Sequence, residues 1–158
     1  MPFLVRRATE QDLAGISHCL RTAFEPYHLS YTRDAFLDTV PPLDALRNRL
    51  AAMIVLVAEP PSGGVAGTVA GERRDDTEGH LRGMAVDPVW QGSGIADELL
   101  DAIEVELRTI GCARVTLDTT EPLHKAMRFY GKHGYVPSGR VTDFFGMPLH
   151  EYVKLLVP

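Results

Sequence analysis

The most informative part of the sequence is Val86-Asp-Pro-Val-Trp-Gln91-Gly92-Ser93-Gly94-Ile95-Ala96. It follows an apolar run at residues 80–86 that predicts a strand, and it leads into a helical pattern that begins at about Gly94. The first turn of a helix presents unpaired N–H groups and the positive end of the helix dipole, and small residues let an anion approach them closely. This stretch therefore predicts a strand, a turn and a helix N-terminus that binds a pyrophosphate.

Two other glycine-rich turns bind nucleotides, and each needs residues that this turn lacks. A P-loop ends in Gly-Lys-Ser/Thr, whereas no lysine follows Gly94, and a Rossmann turn has a third glycine where this chain has Asp97. The Rossmann turn also follows its strand directly, whereas residues 87–91 intervene here. Asp118 does lie near the end of the next predicted strand, as a ribose-binding acid would. That partial match leaves a nucleotide-binding α/β domain as a weaker interpretation.

Two segments together resemble the GNAT superfamily, the acyl-CoA-dependent N-acyltransferases. The turn Gln91-Gly-Ser-Gly94-Ile-Ala96 is similar to the Arg/Gln-x-x-Gly-x-Gly/Ala motif of that family, and Ala126-Met-Arg-Phe129-Tyr130-Gly-Lys-His-Gly134-Tyr135 is similar to its Phe-Tyr-x-x-x-Gly-Phe segment. Their order and spacing agree, and the resemblance extends over about residues 3–157. It implies an α/β domain with a mostly antiparallel central sheet, a splayed parallel pair of strands in its middle, and about four flanking helices.

Periodicity and turn residues predict the order of the elements. Helical spacing favours a first helix at about residues 10–24, capped by Thr9-Glu-Gln-Asp12, and further helices at 35–50, 94–110 and 123–132. Pro41-Pro42 interrupts the second of these regions. Strands are predicted at residues 3–7, 53–59, 65–73, 80–86, 113–118, 136–144 and 149–157. The crossover between the strands at 80–86 and 113–118 predicts that these two are parallel.

Composition limits the class of protein. A chain of 158 residues with 45% hydrophobic residues fits one domain over residues 1–158. The longest apolar run, residues 53–58, is too short to cross a bilayer, and Met1-Pro-Phe-Leu-Val-Arg-Arg lacks the order of a secretory signal, so we expect a cytoplasmic protein without a membrane partner. Cys19 and Cys112 lack the spacing of a disulfide or zinc site and are expected to be core thiols. A net charge of −5 argues against nucleic acid as the main partner, whereas a homodimer is compatible with the sequence.

The resemblance implies that acetyl-CoA is the co-substrate and assigns residues to it. The pantetheine arm lies between the splayed strands, where its amides pair with the backbone of Met84, Ala85 and Val86 as an added strand would. A backbone N–H there, that of Ala85 foremost, is the expected oxyanion donor. Asp97, in the first helical turn, is unfavourable near an anion. The pyrophosphate is assigned to the backbone N–H groups of Gly92, Ser93, Gly94, Ile95 and Ala96, with Gln91 covering it.

Acyl transfer to an amine needs a neutral amine, a stabilised oxyanion and a protonated leaving thiolate. The resemblance implies that Tyr130 directs its hydroxyl at the thioester sulfur and protonates the thiolate. His80 is the candidate base, because it titrates near neutral pH and opens the strand that faces the gap, and some histone-directed family members carry a glutamate near this position. Glu72, Glu78, Asp118 and water are competing bases.

One position departs from the family. Leu123 stands where an asparagine that reaches the cofactor arm is common, so Thr120 or His124 is expected to replace that contact. The acceptor pocket is expected in the loop around Tyr27, His28 and Tyr31, in the second helix, and in the hairpin at residues 140–148. Glu25 and Asp143 are candidates to orient a cationic amine. No metal is expected, because His18, His28 and His150 have no ligand spacing.

The sequence therefore predicts an enzyme that transfers an acetyl group from acetyl-CoA to a primary amine, on a small molecule or a peptide, through a tetrahedral intermediate. A non-catalytic domain of the same fold that senses acyl-CoA or binds a partner is the alternative, because a fold does not fix a function. Tyr130 favours the enzyme, since a binding module needs no proton donor at the sulfur.

Overall fold

The computed structural model describes residues 3–156, and within them seven strands form one sheet in the order β1-β2-β3-β4-β5-β7-β6. The strands are β1 (Leu4–Arg7), β2 (Ile54–Glu59), β3 (Gly67–Arg73), β4 (Glu78–Val86), β5 (Arg114–Thr120), β6 (Val136–Phe144) and β7 (Met147–Leu155). The α-helices are α1 (Leu13–Phe24), α2 (Arg33–Thr39), α3 (Leu43–Ala52), α4 (Ile95–Thr109) and α5 (His124–Lys132). Short 3₁₀ helices occupy Glu10–Asp12, Glu25–Ser30 and Pro88–Trp90.

The predicted order of elements is confirmed, with one correction to the helix count. The region predicted as a single helical pattern at residues 35–50 forms two helices, α2 and α3, because Pro41-Pro42 breaks it, and this gives five α-helices instead of about four. The last predicted strand was extended to Val157, which lies outside the described residues. None of the described helices combines the length and the apolar character that a membrane span requires.

The sheet packs helices on both faces. On one face, called the α1 face, side chains such as Val55, Val57 and Ala70 pack with Leu20 of α1 and Leu46 of α3. On the other, called the α4 face, alternate residues of the same strands pack against the apolar positions of α4 and the aromatic residues of α5. The α4 side chains that are almost completely buried there are Ile95, Leu99, Leu100, Ile103 and Leu107. Cys19 and Cys112 are free and buried, as expected from their spacing.

The ends of α1 and α4 follow the local sequence. The Thr9 backbone N–H donates to Asp12 Oδ2 at 2.8 Å, as in the predicted cap, and Arg6 of β1 binds both oxygens of Asp12 at 2.8 and 2.9 Å. This fork joins the first strand to the start of the first helix, and it lowers the pKa of Asp12. Gly111, with a φ of +98°, ends the turn after α4 in a conformation that favours glycine.

The centre of the sheet opens into a gap. Strands β4 and β5 are parallel, as predicted, but they pair only from Glu78 opposite Arg114 to Leu81 opposite Leu117. Beyond that point β4 stays with β3 through Val86, and β5 stays with β7 through Thr120. The two strands therefore separate like the arms of a V, and their facing edges no longer pair with each other.

A β-bulge lies where this separation begins. Thr68 is opposite Ala85 and Ala70 is opposite Arg82, so Val69 alone faces the two residues Gly83 and Met84. Gly83 has a φ of +62°, which glycine adopts without the penalty that a side chain would bring. The extra residue bends β4 away from its parallel neighbour.

A buried ion pair on the α4 face connects helix α4 with strand β7. Glu104 of α4 accepts hydrogen bonds from the Tyr135 hydroxyl at 2.8 Å and from Lys154 Nζ of β7 at 2.9 Å. The Glu104 side chain is 7% exposed and that of Lys154 is 26% exposed. Burial and the Glu104 carboxylate both raise the pKa of Tyr135, which stays protonated and donates.

We expect Lys154→Met to lower the free energy of unfolding by about 3 kcal/mol, because it leaves the Glu104 carboxylate buried without its counter-ion. Lys132→Met removes the same charge from an exposed position of α5 and should change stability little. Urea denaturation of both variants measures the difference, and equal stabilities would show that the buried ion pair contributes nothing.

Candidate active site

The backbone of β4 beyond Leu81 offers unpaired polar groups to the gap. The Asp87 N–H donates to Ala66 O at 2.8 Å, and hydrogen-bonded pairs alternate along an antiparallel ladder, so Ala85 directs its N–H and C=O at Thr68 of β3. Met84 and Val86 then direct theirs away from β3. The Ala85 N–H, expected as the oxyanion donor, therefore faces β3, and the N–H groups of Met84 and Val86 are the ones that face the gap.

The turn after β4 leaves an open space above the start of α4. Gly92 and Gly94 have φ values of +82° and +90°, and no atom lies within 4 Å of where a Cβ would stand on either. Gly94 provides no side-chain cap for the 15-residue helix α4. Among residues 3–156 no acceptor pairs with the N–H groups of Gly94, Ile95 and Ala96. These N–H groups and the helix dipole form an anion-binding terminus.

Two residues of the predicted cradle already have partners. The Ser93 N–H donates to Trp90 O at 3.2 Å, so it contributes less to the cradle than its neighbours. Gln91 Nε2 donates to Val86 O at 3.3 Å and thereby spans from the turn to the edge of the gap.

Asp97, unfavourable near an anion by itself, lies 2.7 Å from His133 Nε2 of α5. That partner offsets the Asp97 carboxylate and ties α5 to the start of α4.

Tyr130 presents a hydroxyl without a partner. Its ring packs against Phe129 and Tyr135 with centroids 5.5 and 5.8 Å away, and it contacts the core of the α4 face that contains Leu81 and Leu117. Its hydroxyl makes no hydrogen bond to any described residue. Burial raises the pKa of Tyr130, so the phenol keeps its proton at neutral pH. The group is suited to donating a proton and not to accepting one.

His80 lies on the α1 face, inside the last paired part of β4 and β5. Its Nδ1 is 2.8 Å from Thr116 Oγ1, which is the residue opposite it on β5, and its Nε2 is 3.4 Å from Asp118 Oδ2. Burial, together with the charges of Arg74 and Arg82, lowers the pKa of His80 to about 4. The imidazole is thus neutral at physiological pH. Burial raises the pKa of Asp118.

The partners of Thr116 determine which nitrogen of His80 carries the proton. The Thr116 hydroxyl lies 3.1 Å from Glu78 Oε2, and the Glu78 carboxylate is paired with Arg114 at 2.8 Å. A paired carboxylate only accepts, so Thr116 donates to Glu78 and accepts from Nδ1–H of His80. The lone pair on Nε2 remains available beside Asp118. His80 and Asp118 thus lie side by side on the α1 face, next to the point where β4 and β5 separate.

The competing bases occupy different positions. Glu78 is held by Arg114 and Thr116, and Glu72 lies directly across from His80 on β3. The sequence analysis did not identify Thr116, although the period-two pattern of a strand places residues 116, 118 and 120 on one face. Among residues 3–156 no group of three His, Cys, Asp or Glu side chains is arranged to hold a metal ion.

The loop before α2 covers the same face. The Tyr31 hydroxyl is 2.9 Å from Thr120 Oγ1 at the end of β5, and Thr32 Oγ1 donates to Phe145 O at 2.8 Å. Thr120, proposed above to replace the missing asparagine, is therefore engaged by Tyr31. Its neighbour Thr119 is 2% exposed, and its hydroxyl has no partner among the described residues. Thr119 is the better candidate for a contact with the cofactor arm.

Both acidic residues that were expected to orient an amine already have partners. Glu25 lies 3.5 Å from His28 Nδ1, and Asp143 accepts from the Gly146 N–H at 3.2 Å within the β6–β7 turn. Asp118, in contrast, is the carboxylate that lies next to the candidate base His80.

The chain resembles known acetyltransferases in sequence. Residues 14–135 match the acetyltransferase (GNAT) family. The chain is 35% identical over 71 residues to aminoglycoside N(6')-acetyltransferase type 1 of Stenotrophomonas maltophilia, which is 45% of this chain and 46% of that one. It is 29% identical over 97 residues to glucosamine 6-phosphate N-acetyltransferase of Trypanosoma brucei brucei, which is 57% of this chain and 63% of that one. The aligned parts thus span about half to under two thirds of these relatives.

The fold is shared with solved structures at low sequence identity. The PaiA N-acetyltransferase from Thermoplasma acidophilum, solved in complex with coenzyme A, superposes with a TM-score of 0.81 at 18% identity and covers 98% of this chain and 99% of its own. The match to the GNAT family spans most of the chain, and it includes the gap between β4 and β5, the glycine turn before α4 and Tyr130. We conclude that this protein belongs to the GNAT family of acetyltransferases.

Proposed function

We propose that the protein transfers an acetyl group from acetyl-CoA to a primary amine. Two adjacent sets of backbone groups that lack a backbone partner carry this proposal. One set lies on β4 beyond Leu81, and the other lies at the start of α4. Together they offer an extended, amide-pairing edge that leads into an anion-binding helix terminus. A pantetheine arm joined to a pyrophosphate has the complementary chemistry.

Each proposed contact with the cofactor follows from the backbone. Met84 and Val86 pair with the amides of the pantetheine arm, whereas Ala85 contributes shape through its small side chain. Gly92, Gly94, Ile95 and Ala96 direct N–H groups at the pyrophosphate, and Gln91 and Ser93 border it. Because the glycines lack side chains, the phosphates approach the backbone without a steric barrier.

The acyl transfer uses groups from both faces of the sheet. Asp118 attracts the ammonium group of the acceptor, and His80 Nε2 accepts the proton that the amine must lose before it attacks the thioester carbonyl. The N–H of Met84 or Val86 stabilises the oxyanion. Tyr130 then gives its proton to the departing thiolate as the C–S bond breaks, and the nitrogen, now bonded to the acetyl group, loses its second proton. His80 releases its proton to solvent and Tyr130 regains one, so the reaction releases one proton overall.

We expect Gly94→Val to abolish stabilisation by CoA, because the added side chain fills the space reserved for the pyrophosphate. In the parent, CoA at 100 times its Kd adds about 2.7 kcal/mol to the free energy of unfolding. Gly139→Val is the matched control, since Gly139 in the exposed edge strand β6 has the same φ of +90° and equally open surroundings. Thermal unfolding with and without CoA compares the two. A CoA response that survives in a folded Gly94→Val protein would show that the cradle is assigned wrongly.

Tyr130→Phe should slow acetyl transfer by about 10- to 1,000-fold and leave the affinity for CoA unchanged, since only the proton donor is lost. Tyr152→Phe, the same change in a residue of β7 outside the proposed machinery, should keep the parent rate. Single-turnover kinetics, quenched at intervals and read out as acetylated amine, separates chemistry from product release. An unchanged chemical step would reduce Tyr130 to a packing residue and favour the non-catalytic alternative.

The pH dependence follows from the lowered pKa of His80. The rate of acetyl transfer is expected to rise between about pH 6 and 8.5, as either the base or the bound amine loses its proton, but burial lowers the pKa of His80 to about 4. His80 is therefore already neutral throughout the window, and the rise with pH reports the ammonium of the bound acceptor.

His80→Gln should accordingly lower kcat at every pH between 6 and 8.5 without changing the shape of the rise. Profiles of kcat against pH for the parent and the variant provide the measurement. An inflection near pH 6.5 that disappears in His80→Gln would contradict the lowered pKa, and equal rates at every pH would remove His80 from the mechanism.

A further inference from the structure

A mostly buried arginine lies under the bulge of β4 without a counter-ion. The guanidinium of Arg49 in α3 makes no hydrogen bond or ion pair with any residue from 3 to 156, although its backbone carbonyl accepts from the Met53 N–H. Its Nη1 stands only 2.5 Å from where a Cβ on Gly83 would be, so the guanidinium touches the bulge itself. Burial, with a contribution from Arg82, lowers the pKa of Arg49 to about 10. An unpaired buried charge is costly, and a protein that keeps one has placed it where a partner can arrive.

A second arginine extends this positive charge toward His80. Arg82 is the first residue of β4 beyond the paired segment, and it lies two residues after His80 on the same face. It pairs with Asp38 of α2 at 3.3 Å, and its side chain is 41% exposed. Asp38 also acts on Arg49. One carboxylate thus serves two guanidinium groups, and the cluster carries one positive charge in excess.

The charges along this part of the α1 face are ordered. Asp118, with Glu151 opposite it on β7, lies at the His80 end, and Arg82 and Arg49 lie at the bulge end. Arg74 and Arg140 also act on the His80 end, but Arg74 is paired with Glu78 and Arg140 with Glu151. Of these arginines, Arg49 is the one whose guanidinium has no ion-pair partner among residues 3–156, because Arg82 pairs with Asp38.

We propose that the acceptor is a primary amine that also carries an anionic group, a carboxylate or a phosphate, and that Arg82 and Arg49 bind this group. The inference rests on the proposed acetyl transfer and specifies its substrate class. It departs from the simple cationic amine that Glu25 and Asp143 were expected to orient, because the charge near the reacting nitrogen is separated from the charge at the bulge.

The two binding ends are close enough for a small molecule. Residues two apart on a strand have Cα atoms ~6.6 Å apart, so the amine at His80 and the anion at Arg82 fit on one compact acceptor. Each guanidinium offers a planar set of N–H donors that matches a carboxylate or phosphate. The bound anion neutralises the positive charge of the two arginines that Asp38 alone does not balance.

Matched acceptors test this proposal directly. The parent enzyme is assayed for CoA release with α-amino acids and their carboxamides, and with glucosamine 6-phosphate and glucosamine. We expect the anionic member of at least one set to have a kcat/KM about 10- to 100-fold higher than its neutral counterpart, as charge-assisted hydrogen bonds to an anion imply. The set that shows the preference distinguishes a carboxylate from a phosphate.

Arg49→Met and Arg82→Met should each remove most of that preference by raising KM for the anionic acceptor far more than for the neutral one, with the CoA-induced thermal shift unchanged. Arg47→Met is the control, because Arg47 lies on the same helix, is 50% exposed and pairs with Glu10. Arg49→Lys should restore part of the affinity.

Each other outcome is informative. Turnover of neutral amines at rates equal to or above those of the anionic ones overturns the inference and leaves the acetyl transfer intact. A loss of activity that is equal for both members of a set assigns the arginines a structural role and also overturns it. Absence of CoA release with every acceptor, in a parent protein that binds CoA, rejects the proposed function and this inference with it.

Discussion

The site depends on the point at which β4 and β5 stop pairing. Backbone N–H and C=O groups that lose a strand partner must find another, and those of Met84 and Val86 open onto the gap that begins beyond Leu81. The bulge at Gly83 turns β4 at that point, and the glycine turn places the start of α4 at the end of the same edge. A ligand able to pair with strand backbone at one end and to present an anion at the other therefore satisfies the whole edge.

The proposed proton donor and the proposed proton acceptor lie on opposite faces of the sheet. Tyr130 reaches the gap region from the α4 face, where the surrounding core keeps its phenol protonated. His80, Thr116 and Asp118 lie on the α1 face, where the loop that carries Tyr31 contacts the end of β5. The side chains alternate along each strand, so a proton acceptor and a proton donor can be presented on opposite sides of one reacting thioester. This division follows from strand geometry and from the identity of a few residues.

The features that depend on short stretches of sequence could be predicted from the sequence. The glycine turn, the α4 periodicity and the break at Pro41-Pro42 each specify their element within a dozen residues, and the structure has them where expected. The direction of the Ala85 N–H could not be predicted, because it depends on the register with β3 and on a bulge two residues earlier. The lowered pKa of His80 depends on burial in the folded sheet and on the charges of Arg74 and Arg82. The role inferred for Arg49 depends on which side chains the fold brings near it.

Amide hydrogen exchange, resolved by residue with NMR and recorded with and without CoA, tests the central claim most directly. The account predicts that CoA slows exchange at Met84, Val86, Ile95 and Ala96, whose N–H groups gain ligand partners. Ala85, already bonded to β3, should change little. Protection confined to other parts of the chain, or protection of Ala85 in place of Met84 and Val86, would contradict the assignment of the gap and the α4 terminus as the cofactor site.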